Sequence, residues 1–232
     1  MIIDAHSIGA VLLDAGGVLV VPDPMAARRL LEPHGAQPDD DTCLRAHYAG
    51  MRELDRLGRP DWAAADRVVA AVAGVAPERL DEALPAIEAL YHDEPWVPVT
   101  GAAAAMLALE ATGLRLAVVS NATGTMEKML LQHRICRVGG IENEAMARVA
   151  VIIDSHVVGI EKPDPRIFHL ALTEIGVPPE RCWFVGDSVH FDVDGARAAG
   201  LRPVHVDPYH FCPDDDHDHV SGLADVVAAV AA

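Results

Sequence analysis

The sequence predicts an α/β protein built on a doubly wound, mainly parallel sheet, a Rossmann-like core. Five short apolar runs, each ending on or near a polar residue, alternate with helical stretches, at residues 9–14, 114–120, 149–154, 182–187 and 202–207. The runs are continuously apolar rather than alternating, which is typical of strands that helices cover on both faces. In such sheets a ligand binds beyond the carboxyl ends of the strands, so we expect the polar residues there to converge.

A long helical stretch separates the first run from the second. No strand is predicted between residue 21 and about residue 98, and helices are predicted at residues 24–33, 40–57, 61–73 and 77–91. Proline and glycine punctuate these helices. Because a crossover needs far fewer residues, we predict an all-helical cap at 21–97, inserted into a core formed by 1–20 and 98–232.

Composition excludes several classes of partner. The 232 residues carry 35 acidic and 18 basic side chains, a net charge of −17 at pH 7. Such a charge repels nucleic acid and acidic membrane surfaces. The four cysteines form no C-x-x-C pair, which is typical of a reduced cytoplasmic protein. No apolar run is long enough to span a bilayer, so we expect a soluble protein. We expect it to be a monomer or a homodimer.

Two carboxylates are predicted to meet at the carboxyl edge of the sheet. Asp14 ends the first run and is followed by Ala15, Gly16 and Gly17, a tight turn on which a carboxylate can attack a substrate or bind a cation. Asp187 ends another run. Two carboxylates and a backbone carbonyl suit an octahedral Mg²⁺ that keeps its waters and binds a substrate phosphate.

Donors for an anion are predicted beside these acids. Ser120 and Asn121 follow the second run and supply hydroxyl and amide donors. Lys162 is one of only two lysines in the chain and offers a point charge that can bind phosphate and neutralise crowded carboxylates. Asp192 is either a supporting carboxylate or a residue favoured at a helix start by the helix dipole.

Taken in this order, these residues closely resemble the motifs of the haloacid dehalogenase-like (HAD) superfamily. The four matching segments are VLLDAGGVL at 11–19, VVSN at 118–121, GIEKPDP at 159–165 and FVGDSVHFD at 184–192. The resemblance runs from about residue 9 to residue 200. The helical insertion resembles the cap class found in small-molecule phosphatases, phosphoglucomutases and dehalogenases.

The resemblance implies a phosphatase acting on a small phosphorylated metabolite. Asp14 would attack phosphorus and form an aspartyl-phosphate, which water then hydrolyses. Mg²⁺ would be held by Asp14, the backbone carbonyl of Gly16 and Asp187. The residues implied to hold the phosphoryl oxygens are Ser120, Asn121 and Lys162. Asp192 would orient Lys162 or the waters of the metal.

The sequence departs from the family pattern at Gly16. Phosphatases of this family usually carry a second aspartate there as general acid and base, and a missing acid costs about 10²–10⁴ in rate. A cap residue such as His47 could partly compensate by contacting the substrate. Two alternatives therefore stay open: a non-catalytic or weakly active protein that binds Mg²⁺ and phosphate, and a phosphotransferase.

Two other branches of the family fit less well. The dehalogenase branch has an aromatic residue at the position of Gly16 and works without metal, which the pair Asp187 and Asp192 argues against. The phosphonate-cleaving branch needs a lysine in the cap for a Schiff base, and residues 21–98 contain none, so this branch is rejected.

A tract rich in histidine and aspartate follows the last run. It contains His205, His210, Cys212, His217 and His219, with aspartates at 214–216. Such residues can bind a transition metal, but their spacings match no zinc pattern known to us, and we predict a hydrated loop.

Overall fold

The computed structural model describes residues 8–140 and 145–231 of the chain, so the first seven residues of the predicted core lie outside the described part. Within it the chain forms ten strands and ten α-helices. The strands are β1 (Ala10–Leu13), β2 (Val20–Pro22), β3 (Trp96–Pro98), β4 (Arg115–Ser120), β5 (Cys136–Val138), β6 (Ala147–Val149), β7 (Ile152–Asp154), β8 (Cys182–Gly186), β9 (Arg202–Val206) and β10 (Asp218–Val220). The helices are α1 (Pro24–Leu31), α2 (Asp40–Leu57), α3 (Trp62–Val72), α4 (Leu80–His92), α5 (Ala102–Ala111), α6 (Met126–Gln132), α7 (Ser155–Val158), α8 (Pro165–Ile175), α9 (Asp194–Ala198) and α10 (Leu223–Ala231).

Six strands form a parallel sheet in the order β10-β9-β8-β1-β4-β7. All four residues of β1 have no solvent exposure, which explains why this run is continuously apolar. The predicted doubly wound α/β fold is therefore confirmed.

The strand order reverses at β1. From β1 the chain proceeds to β4 and β7 on one side, and it later returns to β8, β9 and β10 on the other. Ligands of open α/β sheets bind beyond the carboxyl ends of the strands at such a reversal. Asp14 follows β1, Ser120 ends β4 and Asp187 follows β8, so all three stand at that edge.

Helix α8 packs on the sheet and fixes the loop that carries Lys162. The rings of Phe168 and Phe184 meet edge to face with centroids 4.8 Å apart. The helix begins at an N-cap, Asp164, whose side chain accepts from the N–H of Arg166, and the proline at the first helical position reinforces this start.

The chain divides into two compact units. One comprises the described residues of Met1–Leu19, Pro98–Pro208 and Asp214–Ala232, and the other comprises Val20–Val97 with Tyr209–Pro213. We call the second the helical unit, since α1 to α4 form most of it. The prediction placed 209–213 in the core. The structure groups this segment with the helical unit, because Tyr209 donates a hydrogen bond to Asp41 and Arg45 lies over its ring.

Five short strands were missed by the sequence prediction. Two of them, β5 and β6, pair in parallel with each other outside the six-stranded sheet. β2 and β3 pair with each other near the two ends of the helical stretch, where no strand was expected. β10 pairs with β9 inside the tract that was predicted as a hydrated loop. Each has only three residues, too few to show a hydrophobic period.

No helix in the described ranges combines the length and the apolar character that crossing a membrane would require.

Asp66 on α3 is partly buried, and its surroundings disfavour the carboxylate. Burial raises the pKa of this carboxyl from its ordinary 3.8 to about 6, and the negative charge of Glu88 adds to the shift. Because the folded pKa lies above the unfolded one, Asp66 destabilises the fold progressively as pH rises from about 4 to about 6. We expect Asp66→Asn to increase the free energy of unfolding by about 1–2 kcal/mol near neutral pH, after allowance for partial solvation.

Urea denaturation at acid and neutral pH checks this expectation. The gain should be present above the folded pKa of Asp66 and shrink as pH falls below it. Glu78→Gln, which neutralises an exposed acid of the same unit, is the matched control and should change stability little at either pH. An equal gain from both variants would mean that net charge, and not the burial of Asp66, limits stability.

Candidate active site

A buried lysine joins two carboxylates beyond the carboxyl ends of β1 and β8. The Nζ of Lys162 lies 2.9 Å from Oδ1 of Asp14 and 2.7 Å from Oδ1 of Asp192. The three residues are 3%, 8% and 2% exposed. Removing one member of a buried charge pair leaves an uncompensated buried charge and costs several kcal/mol of stability. The three charged side chains therefore stabilise one another.

The burial of this cluster shifts its proton equilibria. Burial raises the pKa of the Asp14 carboxyl more than the adjacent ammonium of Lys162 lowers it. Burial alone would lower the pKa of Lys162, but the charges of Asp14 and Asp192 outweigh it and raise that pKa. Lys162 is therefore a permanent cation at physiological pH.

Both oxygens of Asp192 are engaged. Oδ1 accepts from Lys162, while Oδ2 accepts from the backbone N–H groups of Asp187 and Ser188 at 3.0 and 3.1 Å. Gly186 makes room for this arrangement, since a Cβ there would overlap the Asp192 carboxylate. Asp192 thus orients Lys162 and the backbone at Asp187; its supporting role in catalysis stays a prediction.

Asp187 packs against the turn that follows Asp14. Gly17 has a φ of +67°, and a Cβ at this position would overlap Oδ2 of Asp187. Carboxylate oxygens of Asp14, Asp187 and Asp192 all lie within 4.8 Å of one another. Hard oxygen donors at this spacing suit Mg²⁺. Since both oxygens of Asp192 already accept hydrogen bonds, Asp192 is the least suited of the three to bind the ion.

Asn121 connects the loop after β4 to the loop that carries Lys162. Its Oδ1 accepts from the backbone N–H of Lys162 at 2.8 Å, and its Nδ2 donates to the carbonyl of the same residue at 3.1 Å. Ser120, just before it, is 3% exposed at the end of β4. The side-chain amide of Asn121 therefore orders the site, and the amide that can meet an anion is its backbone N–H.

The sequence of this chain matches a known protein family. The family model described as haloacid dehalogenase-like hydrolase matches residues 8–200, most of the chain. The chain belongs to the HAD-like hydrolase family. The family resemblance read from the four motifs is confirmed.

Curated relatives of this HAD-like hydrolase include phosphatases. A phosphoserine phosphatase of Thermus thermophilus is 39% identical over 136 residues, which cover 58% of this chain and 50% of that one. An N-acetylmuramic acid 6-phosphate phosphatase of Pseudomonas aeruginosa is 30% identical over 223 residues, which cover 90% and 86% of the two chains. The chain spans about half the length of the first curated relatives it matches.

Solved structures share the fold. A HAD-hydrolase of Bacillus subtilis, solved bound to magnesium, has a TM-score of 0.60 at 16% identity, with 97% of this chain and 99% of that chain covered. A dehalogenase solved with an intermediate complex has a TM-score of 0.59 at 18% identity, with 97% and 98% covered. At these identities the likeness supports the fold alone.

Asp154, to which the sequence alone assigns no role, shapes the loop beside the candidate site. At the end of β7 it accepts from the backbone N–H groups of Gly124, Met126 and His156. These bonds shape the loop that follows Ser120. The sequence signal for such a role is an acidic residue at the end of a buried apolar run. Only the structure reveals which backbone N–H groups Asp154 binds.

His47, the predicted substrate contact, lies on α2 in the helical unit. It is 4% exposed, and its Nδ1 lies 3.1 Å from the hydroxyl of Tyr91. The ring also meets Trp96 edge to face. Within its unit His47 is part of a packed aromatic cluster, so contact with a substrate remains a prediction.

Proposed function

We propose that this HAD-like hydrolase is an Mg²⁺-dependent phosphatase of a small phosphorylated metabolite. The proposal rests on one observation: the Asp14 carboxylate is buried at the end of the switch-point strand, fixed by Lys162 and close to Asp187. The names of the relatives, which include a phosphoserine phosphatase, support the reaction class. The identity of the metabolite is left to substrate screening.

Asp14 is the proposed nucleophile. One carboxylate oxygen attacks phosphorus in line, the bond from phosphorus to the ester oxygen breaks, and an aspartyl-phosphate forms. Water then cleaves this acyl phosphate and releases inorganic phosphate. Lys162 remains charged throughout, so it can neutralise the phosphoryl oxygens, together with the Ser120 hydroxyl and the Asn121 backbone N–H.

The residues present fit the implied metal. Asp14, Asp187 and the backbone carbonyl of Gly16 would hold Mg²⁺ with hard oxygen donors, leaving positions for water and phosphate. A bound Mg²⁺ supplies charge screening between the attacking carboxylate and the anionic phosphate. The close approach of Asp187 to Gly17, which no larger residue permits, is the feature of this chain that favours such a site.

Gly17→Ala should weaken activation by Mg²⁺. The new Cβ must displace Asp187, so we expect the Mg²⁺ concentration at half-maximal activity to rise at least about tenfold, as for lost support of a metal ligand. Gly176→Ala is the matched control, because Gly176 has the same φ of +67° and no atom within 4 Å of its Cβ position. Both variants should lose about 1–2 kcal/mol of stability from the left-handed backbone, and Gly17→Ala should lose somewhat more because Asp187 must shift. Unchanged Mg²⁺ activation in Gly17→Ala would remove Asp187 from the metal site.

Gly16 favours a second candidate function. It is half-buried and offers no side chain to protonate a leaving group. A weakly active phosphate-binding protein, or a phosphotransferase whose aspartyl-phosphate passes to an acceptor other than water, would also account for the glycine.

Phosphate release from p-nitrophenyl phosphate tests the proposed function. This substrate has an easy leaving group and depends least on a general acid. We expect release with Mg²⁺ and none with excess EDTA. No release with Mg²⁺ at high enzyme concentration would reject the phosphatase and favour the binding or phosphotransfer alternative.

A further inference from the structure

Three histidines of the first unit converge at the edge of the sheet. His205 lies on β9 and His219 on β10, paired directly with each other in the parallel register, and His217 immediately precedes β10. Their ring centroids lie 4.5 to 5.2 Å apart. His205 and His217 are 4% and 6% exposed. Histidine is polar, so two buried rings packed against a third require a chemical explanation.

The ring nitrogens face one another in pairs that suit a metal ion. Nδ1 of His205 lies 3.1 Å from Nε2 of His217. Two nitrogens bound to a tetrahedral Zn²⁺ at about 2.0–2.1 Å are separated by about 3.3 Å. Nε2 of His219 is buried and has no hydrogen-bond partner. One nitrogen of each ring lies within 4.8 Å of the others.

The remaining ring nitrogens meet oxygen atoms. Nε2 of His205 lies 3.3 Å from the backbone carbonyl of Asp187, and Nδ1 of His217 lies 2.7 Å from Asp216. Nδ1 of His219 lies 3.7 Å from Asp207. Metal-bound histidines typically donate the proton of their other nitrogen to a carbonyl or carboxylate, which fixes the tautomer and directs the lone pair at the ion.

The proton count also favours a metal. If Nε2 of His205 donates to Asp187, its Nδ1 carries only a lone pair, so His217 must donate from Nε2. His217 would then need a second proton for Asp216, and Nε2 of His219 would still be unpaired. A cation between the three rings would give a partner to Nδ1 of His205 and to Nε2 of His217 and His219 with all three imidazoles neutral.

We propose that His205, His217 and His219 form a transition-metal site, suited to Zn²⁺ and separate from the carboxylate site. Imidazole nitrogens favour Zn²⁺ over Mg²⁺, which prefers oxygen. Bound metal would fasten the three-residue edge strand β10 to β9. The site replaces the hydrated loop that the sequence predicted. It does not depend on phosphatase activity, so either proposal can fail alone.

Metal binding to the untagged full chain tests the site. Protein stripped with a chelator is titrated with Zn²⁺ against a chromophoric competitor, in millimolar Mg²⁺ so that the carboxylate site is occupied. We expect one equivalent of tightly bound Zn²⁺ and a rise in the unfolding temperature, since a ligand of the folded state stabilises it. Co²⁺ should give the visible absorption of tetrahedral coordination.

Variants assign the ligands. His219→Ala, at a partly exposed position, and His217→Ala should each weaken Zn²⁺ binding more than about 100-fold, beyond the typical effect of a supporting residue. His169→Ala, an exposed histidine of α8, is the matched control and should bind as the unmodified chain does. Asp187→Asn should also retain Zn²⁺. If His217→Ala does not fold, His219→Ala decides. Zn²⁺ binding that survives His219→Ala, or is lost in Asp187→Asn, would overturn the proposal.

Discussion

Asp14→Asn is expected to reduce Mg²⁺-dependent phosphate release at least about 10³-fold, because it removes the proposed nucleophile. The amide keeps the shape of the side chain, but it cannot form an acyl phosphate. Lys162 keeps Asp192 as a partner at 2.7 Å, so the variant should fold. The measurement is the rate with p-nitrophenyl phosphate at saturating Mg²⁺.

Asp194→Asn is the matched control for this loss. Asp194 is an exposed carboxylate at the start of α9, in the same unit, and its neutralisation changes the net charge equally. Its activity should stay within about twofold, as usual for a surface substitution away from the site. Asp14→Asn that folds and retains the activity of Asp194→Asn would show that Asp14 is not the nucleophile.

Gly16→Asp is expected to accelerate the hydrolysis of esters with poor leaving groups. A carboxyl group at this position would supply the missing general acid, which is worth about 10²–10⁴ in rate. The gain should be large for a simple alkyl phosphate and small for p-nitrophenyl phosphate, whose leaving group needs little protonation. The measurement is kcat/KM for both substrates.

Gly16→Asn distinguishes acid catalysis from the effect of side-chain size. Asparagine has nearly the size of aspartate but cannot donate the proton, so this variant should show no gain with the alkyl phosphate. Equal rates for the aspartate and asparagine variants, with both folded, would show that the glycine does not limit the chemistry. The second candidate function would then lose its main support.

Most of the sheet could be predicted from the sequence, because its signal is local and strong. The run before Asp14 is buried on both faces, and the run before Asp187 ends at the same edge of the sheet. Parallel strands place their carboxyl ends together, so the order of the runs was enough to predict that the two acids and Ser120 converge.

The contacts of single side chains could not be predicted in the same way. The sequence suggested Asn121 as a phosphate donor, whereas its side chain binds the backbone of Lys162. That pairing joins residues 41 positions apart, and no periodicity or spacing encodes it.

Strand β10 in the histidine tract was missed for a related reason. The spacings of this tract match no zinc pattern known to us, because zinc patterns are usually local. Here the parallel pairing of β9 with β10 sets His205 beside His219, 14 positions later in the chain. A three-residue strand is too short to show a hydrophobic period. Without the pairing of this strand with β9, nothing in the sequence predicts that the three rings lie together.

Trapping the phosphorylated enzyme tests the account most directly. Borohydride reduces an aspartyl-phosphate to homoserine, and peptide mass spectrometry locates the change. With Mg²⁺ and substrate we expect homoserine at position 14, and none without substrate or in Asp14→Asn. Phosphate release by the unmodified chain with no reduction at position 14, under conditions that trap a control acyl phosphate, would contradict the proposed mechanism.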